Sequence, residues 1–490
     1  MTSYLTSRSR GPRSGRLAAT MALAAAGVLA VTACNVSNLL DVETPNVISP
    51  GDVQSAAGAD AVRLGAIARL NAATSGGSSS SEGLFLLSGL FADEWSNGDS
   101  FIDRWQVDGR VITPQNSFLT DVNRMLHRAR LSATQAVQLL EQYKPTGAVA
   151  DVAEMYFIEA YVENLVGEHY CNGLVFSTVV NGTEQYGSPT TTTAAFEMAL
   201  AHADSGLALI TGSTPADVKV RNALQVTRGR ILLNLNRPAD AAAAVAGVPT
   251  AFQYLNLHSQ TTNDNAMWTY NTIARRYSVG DREGGTGLDF ATAKDPRVPV
   301  CLGSDAACKA IGVPRSTRDD GTTPLYVQMI WTTRDAPVAI SDGIEARLIE
   351  AEAQLNGAVA GDWLATLNAL RTDGMFDTQP SDTNPAVTDT LWHAGSGGVA
   401  GLKPLSDPGT AAARVDLLFR ERAFWLFGRG HRVGDLRRLI RQYGRQPESV
   451  FPTGDWRSGS PYGTQVAFPV PQAEQNNPNV AGQGCMNNDA

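Results

Sequence analysis

The sequence predicts a mainly α protein in which antiparallel helix pairs stack side by side, with an irregular region of loops and short strands packed across them. Three observations carry this expectation. Apolar residues recur at helical spacing in segments spread along most of the chain. Several of these segments form neighbouring pairs, and one, Val218–Asn234, has small residues where two helices would touch. Residues 249–340 break the pattern: they are rich in Gly, Thr, Asn, Pro and aromatics and too long for one connection.

Taken in order, residues 1–33 read as a secretory signal rather than as part of the fold. Ser7–Arg16 carries four Arg and no acid, and Leu17–Ala33 is apolar and rich in small residues; a basic region followed by a short apolar one is the layout of such a signal. The segment closes on Val31-Thr32-Ala33-Cys34, which resembles a bacterial lipobox, whose Cys becomes the first mature residue and takes up acyl chains. An ordinary signal peptide and an uncleaved anchor helix are the competing readings, although the apolar stretch falls short of the roughly 20 residues of a spanning helix. Residues 34–50, with Pro45 and Pro50, read as the lipidated Cys and a flexible tether, and 51–490 as a single helical domain.

Within that domain, helices are expected over Asp60–Asn71 and, after a Gly/Ser-rich loop Ala72–Glu82, over Leu84–Glu94 and Pro114–Tyr143. The stretch Asn116–Leu140 shows the clearest amphipathic face, with Leu119, Val122, Met125, Leu126, Ala129, Ala133, Ala136, Val137 and Leu140 on one side. Asp151–Val166 and Thr193–Leu209 follow, with Thr193 as N-cap, then Val218–Asn234 and Pro238–Ala246, the last opened by a proline in its first turn. Helix returns at 343–356, 361–372 and Ala411–Phe427, while Leu325–Trp331 is β-prone and Phe376–Gly409 has little regularity. Pairing 60–71 with 116–143, 151–166 with 193–209, 218–234 with 238–246 and 343–356 with 361–372 suggests a tetratricopeptide-like arrangement of inconstant period.

Loss of the four signal arginines leaves 35 basic against 48 acidic residues, a formal charge of −13. That balance argues against a nucleic-acid partner and against electrostatic adhesion to anionic lipid. Setting Cys34 aside, Cys171, Cys301, Cys308 and Cys485 remain, an even number that suits two disulfides in an exported chain. Cys301 and Cys308 close a short loop and form the expected local pair, leaving Cys171 with Cys485; four cysteines allow three pairings, and buried free thiols are the alternative. A zinc site is not expected, since histidine is scarce and the spacing is wrong.

Several motifs, read in order behind the lipobox, resemble the SusD/RagB family of outer-membrane nutrient-uptake lipoproteins. Leu39-Leu40-Asp41-Val42 is similar to the family's start after the lipidated Cys, and Lys294-Asp295-Pro296-Arg297 to its mid-chain signature. Ile344–Asn356 with Ala365–Arg371 resembles its helix pair ahead of the C-terminal region. Arg420-Glu421-Arg422, then Gly430-His431-Arg432 and Asp435-Leu436-Arg437-Arg438, is the strongest match, and Phe468–Glu474 with Asn477-Pro478-Asn479 resembles the closing segment. Gly167-Glu168-His169-Tyr170-Cys171 departs from the family's pattern. The resemblance implies a cell-surface lipoprotein that captures oligosaccharide or peptide and passes it to a TonB-dependent outer-membrane transporter, without chemistry on the substrate and without a cofactor.

The residues favour binding over catalysis. No Gly-x-Ser-x-Gly elbow, phosphate-cradling loop or His-Glu-x-x-His is present. Sugars pack C–H faces on aromatic rings, so the candidates for ligand binding are Trp95, Trp105, Trp268, Tyr270, Tyr277, Tyr326 and Trp331, with Asn97, Asp99, Asn265 and Arg276 as polar partners; Trp95 and Trp268 rank first for their polar neighbours. Each also reads as a core or loop-anchoring residue. Asp93, Glu94, Asp99 and Asp103 sit near Trp95 and Trp105, and a secreted glycoside hydrolase using these acids is the alternative; a purely structural lipoprotein is the third. Arg420, Glu421 and Arg422, on an apolar helix, are expected to form a partly buried ion-pair cluster with Arg432, Asp435 or Arg438.

Overall fold

Ser55 is extended, and its side chain accepts the Gly58 N–H, which starts helix α1 over Ala56–Thr74. Along the chain follow α2 (Gly83–Phe91), β1 (Trp95–Asn97), α3 (Ile102–Asp108), α4 (Ser117–Tyr143), α5 (Val149–His169), β2 (Thr178–Val180), β3 (Thr183–Gln185), α6 (Thr192–Leu209), α7 (Pro215–Asn234) and α8 (Pro238–Val245). The middle region holds β4 (Gln253–Asn256), β5 (Tyr277–Val279), β6 (Val300–Leu302), β7 (Tyr326–Gln328) and β8 (Val338–Asp342). Then come α9 (Gly343–Leu355), α10 (Trp363–Asp373), β9 (Gly374–Pro380), β10 (Thr388–Ala394), α11 (Ala411–Trp425) and α12 (Arg432–Arg441). In this computed structural model the described residues are 53–77, 82–180, 183–380, 388–394, 402–456, 459–480, 482, 484–487 and 489–490. The expected signal, Cys34 and the tether lie outside them.

The four expected pairs form. α1 packs on α4, α5 on α6, α7 on α8 and α9 on α10, and contacts of α4 with α5, α6 with α7 and α8 with α9 join them into one stack. On α4 every residue expected on the core face is buried except Met125, which is partly buried. Burying a side chain of this kind is worth roughly 1.5–3 kcal/mol, so the stripe holds the helix in the stack. Glycine lets the helices approach where they cross: a Cβ on Gly229 of α7 would lie 2.6 Å from Val245 of α8, and one on Gly167 of α5 would lie 2.6 Å from the Phe196 ring of α6. Two boundaries differ from expectation. Thr191, not Thr193, caps α6 by accepting the Ala194 N–H at 3.2 Å. α2 ends at Phe91, because Ala92–Glu94 turn the chain into β1.

The region 249–340 lies across the helices as short antiparallel pairs, β4 with β8 and β6 with β7, and β5 reaches back to β1 with Trp95 opposite Val279 and Asn97 opposite Tyr277. Phe376–Gly409, expected to lack regularity, contains the antiparallel hairpin β9–β10, with Gly374 opposite Ala394. Disulfides join Cys171 to Cys485 and Cys301 to Cys308. Among the described residues no helix is long and apolar enough to cross a membrane.

The charges of the C-terminal helices are distributed over several partners. Glu421 accepts from Arg297 and from Arg371, each at 2.7 Å, and Arg297 also pairs with Asp295 at 2.7 Å. The Asp-Pro-Arg motif is thereby latched to α11. Arg422 bonds Asp435 at 2.9 Å, and Arg438 pairs with both Asp435 and Glu352. Arg432 donates to Asp93 from Nε and Nη2, each at 2.7 Å. Arg420 departs from the expected cluster: it stays partly exposed at the helix edge and pairs with Asp289 at 2.8 Å. Arg437 instead donates to the carbonyls of Gly167, Glu168 and Tyr170, where the C-terminal end of α5 supplies negative potential.

Candidate functional site

Strand β1 decides which of the aromatic candidates can meet a ligand. It lies between α2 and β5, and all three of its residues are buried. Trp95 has 0% exposure, with Tyr277 at 6.5 Å and Phe427 at 5.1 Å between ring centroids. Tyr277 is likewise enclosed, and its hydroxyl donates to Glu82. Tyr270 and Trp331 are buried as well. These four rings are core residues, which corrects the expectation that they bind ligand. Asn97 and Asp99 are buried too and shape the chain: Asn97 Oδ1 accepts the Asp99 N–H at 3.1 Å, and Asp99 Oδ1 accepts the Phe101 N–H at 2.9 Å. Asn265 is fully buried and donates to the Ala336 carbonyl at 2.8 Å. Trp268 and Tyr326 are half-buried, Trp268 in a π-helical turn that spans Trp268–Ile273.

What remains at the surface is built on Arg104. Its guanidinium is buried, donates to Glu82 at 2.8 Å and to Asp99, and lies 4.6 Å from the Phe118 ring centre and 5.2 Å from that of Phe101. Burial raises the Asp99 carboxyl above its ordinary pKa, and the Arg104 charge opposes that rise. The network fixes the loop entering α3, so Phe101 and Ile102 stand 55% and 65% exposed. Arg276, partly exposed, also lies over the Phe101 ring, 5.5 Å from its centre.

Trp105, on α3, is half-buried and donates its Nε1–H to the Asp99 carbonyl at 2.6 Å. Its ring meets Trp456 edge to face, with centroids 5.3 Å apart and planes at 85°. Trp456 is also half-buried and donates to Asp108 Oδ2 at 3.1 Å. The loop that carries it is pinned to α3 by the Gly463 N–H, which reaches the Gly109 carbonyl at 2.8 Å. Both indole N–H groups are thus engaged within the protein, and the rings keep apolar surface for a ligand. The exposed surface therefore joins Trp105 from the expected set, and Arg276 as an anticipated polar partner, to Phe101, Ile102 and Trp456, which were not among the expected residues; Asp99 lies buried beneath it and holds Arg104. The signal for Trp456 was a tryptophan inside Gly454–Gly463, a stretch of turn-forming residues.

The arrangement suits binding by stacking, with a guanidinium at its edge. The acids of residues 93–103, the basis of the alternative reading, are each engaged within the protein. Asp93 is engaged by Arg432, Glu94 is enclosed and accepts the Gly428 N–H at 2.8 Å, Asp99 holds Arg104, and Asp103 accepts the Ser117 N–H at 3.0 Å at the start of α4. Burial pushes the Glu94 carboxyl up to about 8. Among the described residues no group of three or more His, Cys, Asp or Glu is placed to hold a metal. His431 is buried, and burial first, with nearby arginines, pushes its pKa well below the ordinary value, so it stays neutral.

No family model matches the sequence, and no curated protein matches it. Solved structures do. A SusD superfamily protein from Parabacteroides distasonis superposes with a TM-score of 0.61 at 13% identity, over 86% of this chain and 98% of that one. Surface glycan-binding protein A from Bacteroides thetaiotaomicron gives 0.57 at 13% identity over 89% and 100% of the two chains. A laminarin-binding SusD-like protein gives 0.55 at 13% identity over 86% and 98%. At this identity the likeness establishes the fold.

Proposed function

We propose that this chain, whose fold is that of the SusD superfamily, is a carbohydrate-binding protein anchored at the cell surface through lipid on Cys34. The observation that carries the reading is the pair Trp105 and Trp456, two half-exposed rings set edge to face beside the exposed Phe101 and the Arg276 guanidinium. Rigid aromatic surface takes up the C–H faces of sugar rings at little entropic cost, and an edge arginine donates to hydroxyls. Similar folds that bind glycan or laminarin support the ligand class. On this reading the chain is not an enzyme: it captures oligosaccharide and hands it to a TonB-dependent outer-membrane transporter, and the helix stack offers that partner a broad surface. The lipobox supports a lipid anchor, and the motif resemblance supports an outer-membrane location, with residues 35–50 read as the tether.

Isothermal titration of the purified protein against a panel of oligosaccharides tests the ligand class and the site together. The expected result is binding to at least one glycan that Trp105→Ala and Trp456→Ala each weaken by about tenfold, some 1.4 kcal/mol. Unchanged affinity in both variants contradicts the site, and no glycan bound contradicts the function. For the anchor, Cys34→Ala is expected to move the protein from the membrane fraction to the soluble fraction of the producing cells.

A further inference from the structure

A second cleft lies away from the aromatic surface, on the outer side of the first helix pair. It has a volume of about 520 Å³, inside the range of roughly 300–1,000 Å³ found for small-molecule sites. Its floor is the polar side of α4, where Arg128, Ser132, Gln135 and Gln138 recur at helical spacing opposite the buried stripe. Arg69 of α1 contributes from one side, and Thr178 and Val179 of β2 form the facing wall. A polar helix side normally faces open water. Here the wall is held in place by Arg130, a buried side chain of α4 that donates to the Ser177 carbonyl and lies 5.5 Å from the Phe176 ring centre.

The electrostatics of the lining are unusual for this chain. Acids outnumber bases 48 to 39, and the arginines of the fold are largely matched to carboxylates or carbonyls. Among the described residues neither Arg69 nor Arg128 makes an ion pair or a hydrogen bond. No Asp or Glu lines the cleft, whose remaining polar groups are amides and hydroxyls. Guanidinium groups bind carboxylates through paired N–H donors, while amides and hydroxyls match sugar hydroxyls.

We propose that this cleft binds an oligosaccharide that carries carboxylates, a uronic-acid oligomer, as a site separate from the aromatic surface. The choice of a sugar rests on the carbohydrate-binding reading above; the choice of an acidic one rests on Arg69 and Arg128. The test is isothermal titration of the full chain with tetragalacturonate and with the neutral maltotetraose, using wild type, the double variant Arg69→Gln/Arg128→Gln, and Trp105→Ala. Both arginines are exposed, so the double variant should keep the wild-type melting temperature. The expected result is that tetragalacturonate binds wild type, weakens with added salt, and loses about tenfold or more in affinity in the double variant while Trp105→Ala leaves it unchanged. Absence of tetragalacturonate binding, or equal binding by the double variant, overturns the cleft and leaves the aromatic surface standing. Loss of maltotetraose binding in Trp105→Ala alone separates the two sites. If no neutral glycan binds but tetragalacturonate does so through the arginines, the cleft stands and the aromatic-surface reading falls.

Discussion

Asp93 and Glu94 are adjacent in sequence and enclosed together, but they meet different partners. Asp93 faces Arg432, for which no other carboxylate is within ion-pair distance among the described residues. Asp93→Ala would leave that guanidinium buried and uncompensated, at a cost of roughly 3–5 kcal/mol, which equilibrium urea unfolding would register as a lower midpoint. Burial, opposed by the Gly428 N–H and the Arg432 charge, raises the Glu94 pKa from 4.5 to about 8. Between those values the folded protein keeps a proton that the unfolded chain has released. Stability therefore falls as pH rises through that window. Glu345, pushed up to about 7 by burial, acts in the same direction. Glu94→Gln is expected to flatten the loss of stability between pH 5 and 9 in urea titrations, by an amount on the order of a few kcal/mol at the alkaline end; an unchanged slope contradicts the assignment. That Asp93 and Glu94 belonged to the interior was not legible in sequence, where an acid beside a tryptophan looks the same in a loop as in a core. The partners that decide it, Arg432 and Gly428, lie more than 300 positions away.

At the scale of elements, the helices were legible because their determinants are local. The apolar face of α4 was named residue by residue, and the four pairs lie between segments whose periodicity marks them. α7 also carries a capping box, Thr214 and Asp217 bonding each other's backbone N–H; Thr214→Ala is expected to cost about 1 kcal/mol, seen as a reduced melting temperature without change of fold. What escaped was set by distant contacts. The hairpin β9–β10 and the pairing of β1 with β5 depend on registers that no local pattern announces. Trp456 joins Trp105 only because its loop returns across 348 positions to Asp108. The two disulfides divide along the same line: Cys301 and Cys308 are 7 positions apart and close a local loop, while Cys171 and Cys485 are 314 apart and tie the tail to the end of α5. Loop-closure entropy grows with length, so replacing the long-range pair with alanine is expected to destabilise by about 2–5 kcal/mol and the short one by less; calorimetry of the two double variants would show the order.

For the molecule as a whole, the helix stack accepts widely different sequences, since 13% identity suffices to superpose it on a SusD superfamily protein. Periodicity, small residues at crossings and charge pairing at the C-terminal helices maintain the stack; the proposed ligand surface is built separately, on the loops beside β1 and after α12. This separation explains why fold and function were unequally legible. Trp105 was in the expected set, yet of the two residues ranked first Trp95 lies in the core and Trp268 is half-buried in a π-helical turn. The central claim is that carbohydrate seats on the surface of Trp105, Trp456 and Phe101. Hydrogen–deuterium exchange with and without a bound oligosaccharide tests it most directly. The account predicts slowed exchange in residues 99–109 and 459–463; protection elsewhere, with both segments unchanged, would contradict it.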